Sequence, residues 1–508
     1  MLAMALEHAM WHSARLVPFR ALTRNLGGRI GRIVRILLLA MPDTASSLDA
    51  VMKFPNLGLC SLAAQVPEHE VRILDLVLRP HGVRARVLDE VRRFRPDLVG
   101  YSAMSFQYET ARELAASVRA EAPHAVHVLG GYHATVLADE VGARDGEHFD
   151  FAVRGEGEVA FRQLVDGLAG ATLDPERIPG LSWRSNSGWR HNPDGPLLAL
   201  DSVPLPRRDA RVLDGAFYFD RSFDVAETTR GCPLPCTFCS IRRMYGRTFR
   251  RFPIPRVLED LRALDRRGVR GVFFVDDNIT IDVPRFKELC EEISAAGLSH
   301  LRYIVQASVH GIAKDPTLAP AMARAGFDTV FMGIENAEEA NVETLDIAAK
   351  RGRSEDETPR AVRLLRDNGI KAVGGFIVGN PDDDRAAIAR TFRYARQLGL
   401  DFPIVQALTP YPRTEMREAL MAEGLVTNPD DLTRYNGYMV NVRTRHLSSS
   451  AIARAMVWEG VKLYMDPRAA RRSRFVRNFP AFRGALLRNN FALFAGLRNR
   501  MFRSTHTL

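Results

Sequence analysis

Cysteine is scarce in this chain: five among 508 residues. An odd, sparse set does not make a secreted disulfide framework. A reducing, cytoplasmic setting with free thiols is therefore expected. Long hydrophobic runs are missing too. The longest clean one is ILLLAM (36–41), far short of the ~18 residues of a membrane span. The first 35 residues are basic but lack an apolar h-region and an A-x-A site, so no secretory signal is expected. Asp, Glu and Lys are absent from residues 467–508, which carry ten arginines. The net charge of +10 thus belongs to the tail, and residues 1–466 are close to neutral. A nucleic-acid binder spreads its basic residues over a domain face, so no nucleic-acid partner is expected.

Three of the five cysteines fall in one stretch, ETTRGCPLPCTFCS (227–240), as Cys232, Cys236 and Cys239 with C-x3-C-x2-C spacing. Three thiolates in one loop are soft ligands, suited to zinc or an iron–sulfur cluster. A structural zinc site closes with a fourth protein ligand, commonly from a second C-x2-C pair or histidines. No second pair is present, and Cys60 and Cys290 sit alone in apolar segments that read as core. A three-cysteine loop suits a [4Fe–4S] cluster with one iron left open.

The fold expected is α/β. Residues 1–33 read as a basic amphipathic segment broken at Gly27–Gly28. From 34 to 169, apolar strands alternate with helical patterns: VRILLLAM, EVRILDL, DLVGYS, VHVLG and FDFAVRG. Continuous apolar strands with intervening helices imply a parallel, doubly wound, flavodoxin-like sheet covered on both faces. Its ligand belongs beyond the carboxyl ends of the strands. Residues 170–222, with IPGLSW and DSVPLPRRD, read as a linker. Six further β/α units over 223–415 predict a partial (β/α)6 barrel with its chemistry at the C-terminal strand ends. The cysteine loop follows the first of these strands. Residues 416–466 read as a helical extension and 467–508 as an arginine-rich amphipathic tail.

The loop GCPLPCTFC resembles the signature of radical S-adenosylmethionine (SAM) enzymes, with Phe238 as its aromatic residue. The resemblance runs through the six barrel strands. The first domain resembles the cobalamin-binding domain of one large branch, through PNLGLCSLAAQVPEHEVRILDL, LGGYHAT, VRGEGE and PGLSWR. The resemblance implies three cofactors: the [4Fe–4S] cluster on Cys232, Cys236 and Cys239, SAM on the open iron, and cobalamin. It places Phe238 near the adenine of SAM, with simple core packing as the plain alternative. VDDN makes Asp276, Asp277 and Asn278 candidates for the methionyl ammonium, with helix capping as their plain alternative. GIE makes Glu335 a candidate ribose ligand, with a surface carboxylate as the plain alternative. GNP, with Gly379 and Asn380, would offer exposed backbone to an adenine edge, or be only a turn. For cobalamin, Gly130 and Gly131 allow close backbone approach, Ser102 and Ser105 could bond the buried base, and Gly155, Glu156 and Gly157 line the next loop. The D-x-H-x-x-G pattern that supplies a lower cobalt ligand is absent. His133 is a neighbour in the binding loop without that role assigned.

The resemblance implies methylation of a poorly activated carbon, with the cofactors performing the hard steps. One SAM methylates the cobalamin, and a second yields the 5′-deoxyadenosyl radical that takes hydrogen from substrate. Tyr411 in TPYPRTE is a substrate-side candidate. Arg413 stands where the family usually has glycine, so the local loop is expected to differ. The tail interleaves Arg with Phe and Leu, a pattern that lies on anionic membrane surfaces, and a solvated or self-packed tail is the plain alternative. AMPDTASSLDAVMKFPNLGLC and MYGRTFR are similar to the hopanoid C-3 methylases, which implies a lipid substrate. A reducing partner of flavodoxin or ferredoxin type is implied as well. Two other readings stand beside this one: a cobalamin-dependent radical cyclase or rearrangement enzyme, and a zinc-bound, non-catalytic membrane-surface or RNA-binding protein.

Overall fold

The computed structural model describes residues 32–44, 52–219, 221–336, 338–352, 356–467, 471 and 473–475. The N-terminal basic segment 1–31 and most of the arginine tail lie outside them. β1 (Arg35–Ala40) and β2 (Met52–Lys53) are followed by β3 (Glu70–Asp75), β4 (Leu98–Ser102), β5 (Val126–Gly130) and β6 (Phe151–Val153). The first sheet runs β3-β1-β4-β5-β6, all parallel. This is the flavodoxin-like order, whose switch point lies at the carboxyl ends of β1 and β4.

Period-two alternation builds two cores from one strand. Ile36, Leu38 and Ala40 face helices Leu57–Gln65 and Gly157–Ala169. Leu37 and Leu39 face helices Val83–Phe94, Tyr108–Glu121 and Tyr132–Asp145. Cys60 is fully buried in the first of these cores, as its apolar setting implied.

The stretch 170–222 is more than a linker. It forms β7 (Leu181–Ser185) and β8 (Gly188–His191), an antiparallel pair that extends the first sheet beyond β6. IPGLSW enters β7 because Leu181 and Trp183 are apolar and buried. The chain then crosses to the second domain, pinned by two buried arginines. Arg208 pairs with Asp260 and donates to the Val225 carbonyl, and Arg211 pairs with Asp224 at 2.7 Å.

β9 (Phe217–Tyr218) precedes β10 (Arg221–Ala226), and β11 (Thr229–Arg230) pairs with β12 (Arg250–Arg251) as a short ribbon. β13 (Gly271–Phe274), β14 (Arg302–Ser308), β15 (Phe327–Glu335), β16 (Lys371–Val378) and β17 (Phe402–Ala407) complete a parallel series with β10. Neighbours in sequence are neighbours in space, and β10 and β17 do not pair, so the barrel is open. β2 and β9 add an antiparallel edge, so residues 52–53 of the first domain belong to the barrel's sheet.

Part of the tail packs onto the barrel. Phe475 is buried and stacks on Phe219, and Arg474 pairs with Asp401 at 2.7 Å. These residues are self-packed rather than free. No helix among the described residues is long and apolar enough to cross a membrane.

Candidate active site

The cysteine loop leaves the end of β11 through Gly231, whose φ of +90° suits glycine. A Cβ there would come within 2.5 Å of the Thr248 carbonyl. The Gly231 amide donates to Asp277 Oδ2 at 3.0 Å, which ties the loop to the end of β13. Thr237 bridges outward: its amide donates to the Leu345 carbonyl, and its carbonyl accepts from the Met416 amide. Phe238 packs against the barrel core. Burial pushes the Cys232 thiol up to about 11 and the Cys236 thiol to about 12, with Lys350 opposing the rise in both. Buried thiols of this kind become thiolates when a metal group supplies the compensating charge.

The three thiols feel one another electrostatically: Cys239 adds to the rise in Cys232 and in Cys236, and Cys232 adds to that in Cys236. Three soft ligands from one loop are a donor set that an iron–sulfur cluster accepts.

Glu335 ends β15 with φ of +66°, rare for a residue with a side chain, and is buried. It forms an ion pair with Lys350. Burial works against the Lys350 charge, but Glu335, Cys236 and Cys239 outweigh it and raise its pKa. Its Nζ lies 5.9 Å from the centre of the Phe238 ring. Lys350 thus joins the cysteine loop to Glu335, a link not legible in the sequence because Lys350 lies in the short helix Ala348–Arg351 rather than at a strand end.

Several candidates turn out to hold the frame. Asp276 is buried and accepts from the Thr228 amide at 2.7 Å, the Thr228 hydroxyl, and the Thr229 hydroxyl at 2.9 Å. Its carboxylate is spent on clamping β13 to the turn after β10. Asn278 caps the short helix Ile279–Ile281, accepting from the Thr280 amide and hydroxyl. The expectation of exposed backbone at GNP is corrected. Asn380 is fully buried, and the amides of Gly379 and Asn380 both donate to Asp383 Oδ2, at 2.8 and 3.0 Å. The stretch is a self-closed turn. Of the VDDN trio, Asp277 alone reaches the cavity described next.

A cavity of about 290 Å³ starts inside the first domain and ends at the barrel. Its inner walls are Leu38, Val128, Leu62 and Phe161, with Gly100 and Ser102 beside them. Gly130, Gly131, Gly155, Glu156 and Gly157 form its rim, and Glu227, Arg230, Tyr245 and Asp277 form the barrel side. It opens at the switch point, where the fold predicts a ligand. At Gly131, φ is +88° and a Cβ would meet the Ala103 carbonyl at 2.9 Å, so this turn needs glycine. An apolar inner chamber with a glycine rim suits a bulky group that inserts an aromatic tail.

Ser105 and His133 do not line this cavity. Ser105 is buried with its hydroxyl unpartnered. His133 stacks on Tyr108 at 3.9 Å between ring centres. Burial lowers its pKa to about 3, with Arg144 adding to the effect, so it is neutral. Its place is in the packing of the helix that follows β5.

Glu156 does more than line the rim. It accepts from Arg230 at 2.9 Å, from both terminal nitrogens of Arg250 at 2.8 and 3.0 Å, and from the Leu198 amide. Arg230 also pairs with Glu158 at 2.8 Å and Glu227 at 2.9 Å. This buried knot joins the RGEGE loop of the first domain to both strands of the β11–β12 ribbon. Burial opposes the Glu156 charge, but Arg250, the Leu198 amide and Arg230 prevail and hold its pKa low.

The family models agree with this geometry. Residues 48–165 match the B12 binding domain and residues 226–395 the radical SAM superfamily. An uncharacterised methyltransferase of Pyrococcus horikoshii is 30% identical over 438 residues, 85% of this chain and 93% of that protein. The chain belongs to the cobalamin-binding radical SAM methyltransferases. Its family's chemistry runs on cobalamin, a [4Fe–4S] cluster and SAM. The hopanoid C-3 methylase of Methylococcus capsulatus is 27% identical over 74% of this chain and 70% of its own length. The fold is shared with the radical SAM methyltransferase TsrM from Kitasatospora setae, solved with cobalamin and a [4Fe–4S] cluster bound. The TM-score is 0.69 at 18% identity, over 91% of this chain and 99% of that one.

Proposed function

We propose that this methyltransferase acts on an unactivated carbon of a lipid, with C-3 of a hopanoid as the specific substrate. The observation that carries the reading is the cavity running from the switch point of the first sheet to Asp277, which holds the Gly231 amide next to Cys232. A corrinoid seated there faces the cluster loop. Cys232, Cys236 and Cys239 hold the cluster. Ser102, Gly130, Gly131, Gly155 and Glu156 receive the corrinoid, and Asp277, Glu335 and Phe238 surround SAM. When bound, these groups supply one-electron cleavage of SAM and a transferable methyl.

The chain's own residues position and seclude. The Glu156–Arg230–Arg250 knot locks the rim of one domain onto the other, and Asp276 fixes the turn that starts the cysteine loop. The lipid assignment is supported by likeness to the hopanoid methylase and by the Arg, Phe and Leu composition of the tail, which favours peripheral contact with an anionic membrane.

The test is anaerobic reconstitution with iron, sulfide and cobalamin, followed by mass spectrometry with total bacterial lipid. The expected products are 5′-deoxyadenosine, S-adenosylhomocysteine and a lipid heavier by one CH2. Cys236→Ala is expected to abolish the radical product. Turnover of SAM with every lipid unchanged in mass refutes the lipid substrate.

A further inference from the structure

A radical SAM enzyme needs an electron delivered to a buried cluster, and the cysteine loop is half-buried over most of its length. A second hollow, about 220 Å³, lies against the cysteine loop. Thr237 and Cys239 form its floor, and Arg242, Arg243, Arg247 and Glu415 its walls. Arg242 is neutralised by Glu415 at 3.0 Å. Arg243 and Arg247 are exposed and have no ion-pair partner among the described residues. The helix Ile241–Tyr245, which carries Arg242 and Arg243, starts two residues after Cys239.

We infer that the Arg243–Arg247 face is the docking surface for an acidic one-electron flavoprotein of the flavodoxin type, with Cys239 as the point of electron entry. This rests on the reading of Cys239 as a cluster ligand. Both residues are exposed where they line the hollow. Exposed like charges of this kind steer an oppositely charged macromolecule and set its encounter rate, whereas a small-anion site converges buried donors. Cys239, which lines the hollow, gives a through-bond path to the cluster. In the transfer, the donor's anionic flavin hydroquinone loses one electron and becomes the neutral semiquinone. The cluster gains that electron and passes from the 2+ to the 1+ state. No covalent bond forms or breaks.

The test uses reconstituted full-length enzyme and a purified acidic flavodoxin. Binding is measured at low and high salt, and cluster reduction by stopped-flow. The electron paramagnetic resonance signal of the dithionite-reduced cluster reports that each variant carries it. Arg243→Glu with Arg247→Glu is expected to weaken flavodoxin binding and slow reduction by ~10-fold or more at low salt, with the difference shrinking at high salt. Arg267→Glu, at the opposite end of the barrel, is expected to change neither. Unchanged affinity and rate in the double variant, with the cluster signal present, overturns the inference alone. Equal losses in Arg267→Glu overturn it as well, by making the effect one of net charge. Absence of a cluster signal from the wild type takes down the ligand reading and the inference together.

Discussion

Arg230→Met tests whether the domains are held together by the buried knot. In the wild type, Arg230 and Arg250 face Glu156, Glu158 and Glu227, two cations against three anions. Side-chain exposures are 9% for Arg230, 4% for Glu156 and 7% for Glu158. Removing Arg230 leaves three anions against one cation with little water to screen them. Breaking a buried pair from one side costs about 3–5 kcal/mol. With a urea slope of about 3 kcal/mol/M, the first unfolding midpoint falls by about 1 M or more. The sign with pH is also fixed. The depressed pKa of Glu156 means that its stabilisation is present above the unfolded carboxylate value and lost as pH falls through the folded one. Without Arg230, the folded-state value of Glu156 rises from its depressed position, so the folded variant binds more protons than the folded wild type does. Its deficit relative to wild type is therefore full at neutral pH and narrows towards the acid side. Adding Glu158→Gln removes one stranded anion and recovers part of the loss, with a coupling of about 0.5–3 kcal/mol. A deficit under about 1 kcal/mol, or one that does not change with pH, refutes this account of the knot.

His133 gives a prediction of its own. With a folded pKa of about 3 and an unfolded value near 6.5, its neutral burial loses about 2 kcal/mol of stability at pH 5. His133→Phe keeps the stack on Tyr108 and is expected to flatten that limb of the pH–stability curve, leaving the cobalt(II) resonance spectrum of bound cobalamin unchanged. Arg413 adopts a φ of +61°, in the region that favours glycine. Arg413→Gly relieves about 1–2 kcal/mol of strain against about 0.4–1 of chain entropy, so denaturant titration is expected to show a net gain of about 0.5 kcal/mol. Gly131→Ala drives a Cβ to 2.9 Å from the Ala103 carbonyl at positive φ. A loss of about 2 kcal/mol or more is expected, and hydroxocobalamin is expected to elute free on gel filtration.

The first sheet was legible because its strands are nearly all apolar, and an apolar strand followed by an amphipathic helix has few arrangements open to it. β7 was not, because IPGLSW carries turn residues and its partner β8, GWRH, is exposed over most of its length. Only pairing with β6 makes the stretch a strand. The cysteine loop was legible because three soft ligands in eight positions have few uses. Lys350 was not, because its partner Glu335 is fifteen residues away across a helix and a turn. Arg250 closes MYGRTFR and Glu156 sits in RGEGE, two stretches quoted separately as family likeness. That each exists to hold the other becomes visible when β11–β12 is folded against the first domain.

The residues assigned as ligands and found to be frame share a physical position. Asp276, Asn278, Gly379 and Asn380 all sit where a barrel strand ends. There the last amides of a strand and the first amides of the next turn lack partners from the ladder. A short polar side chain is the cheapest way to satisfy them, and a ligand site needs the same residue types in the same place. Sequence pattern alone cannot separate the two uses. Burial and partner count do: Asp276 takes three donors and has no face on the cavity, while Asp277, one residue on, takes one and lines it. Burial raises both carboxyls to about 6. That makes the pair separable by experiment. Asp276→Asn keeps the shape but offers an NH2 where two hydroxyls donate, and is expected to lower stability by about 1–3 kcal/mol. Asp277→Asn leaves the clamp intact and is expected to weaken SAM binding, measured by calorimetry, with stability changed by less than about 1 kcal/mol. The reverse pattern would return Asp276 to the ligand set and make Asp277 the clamp.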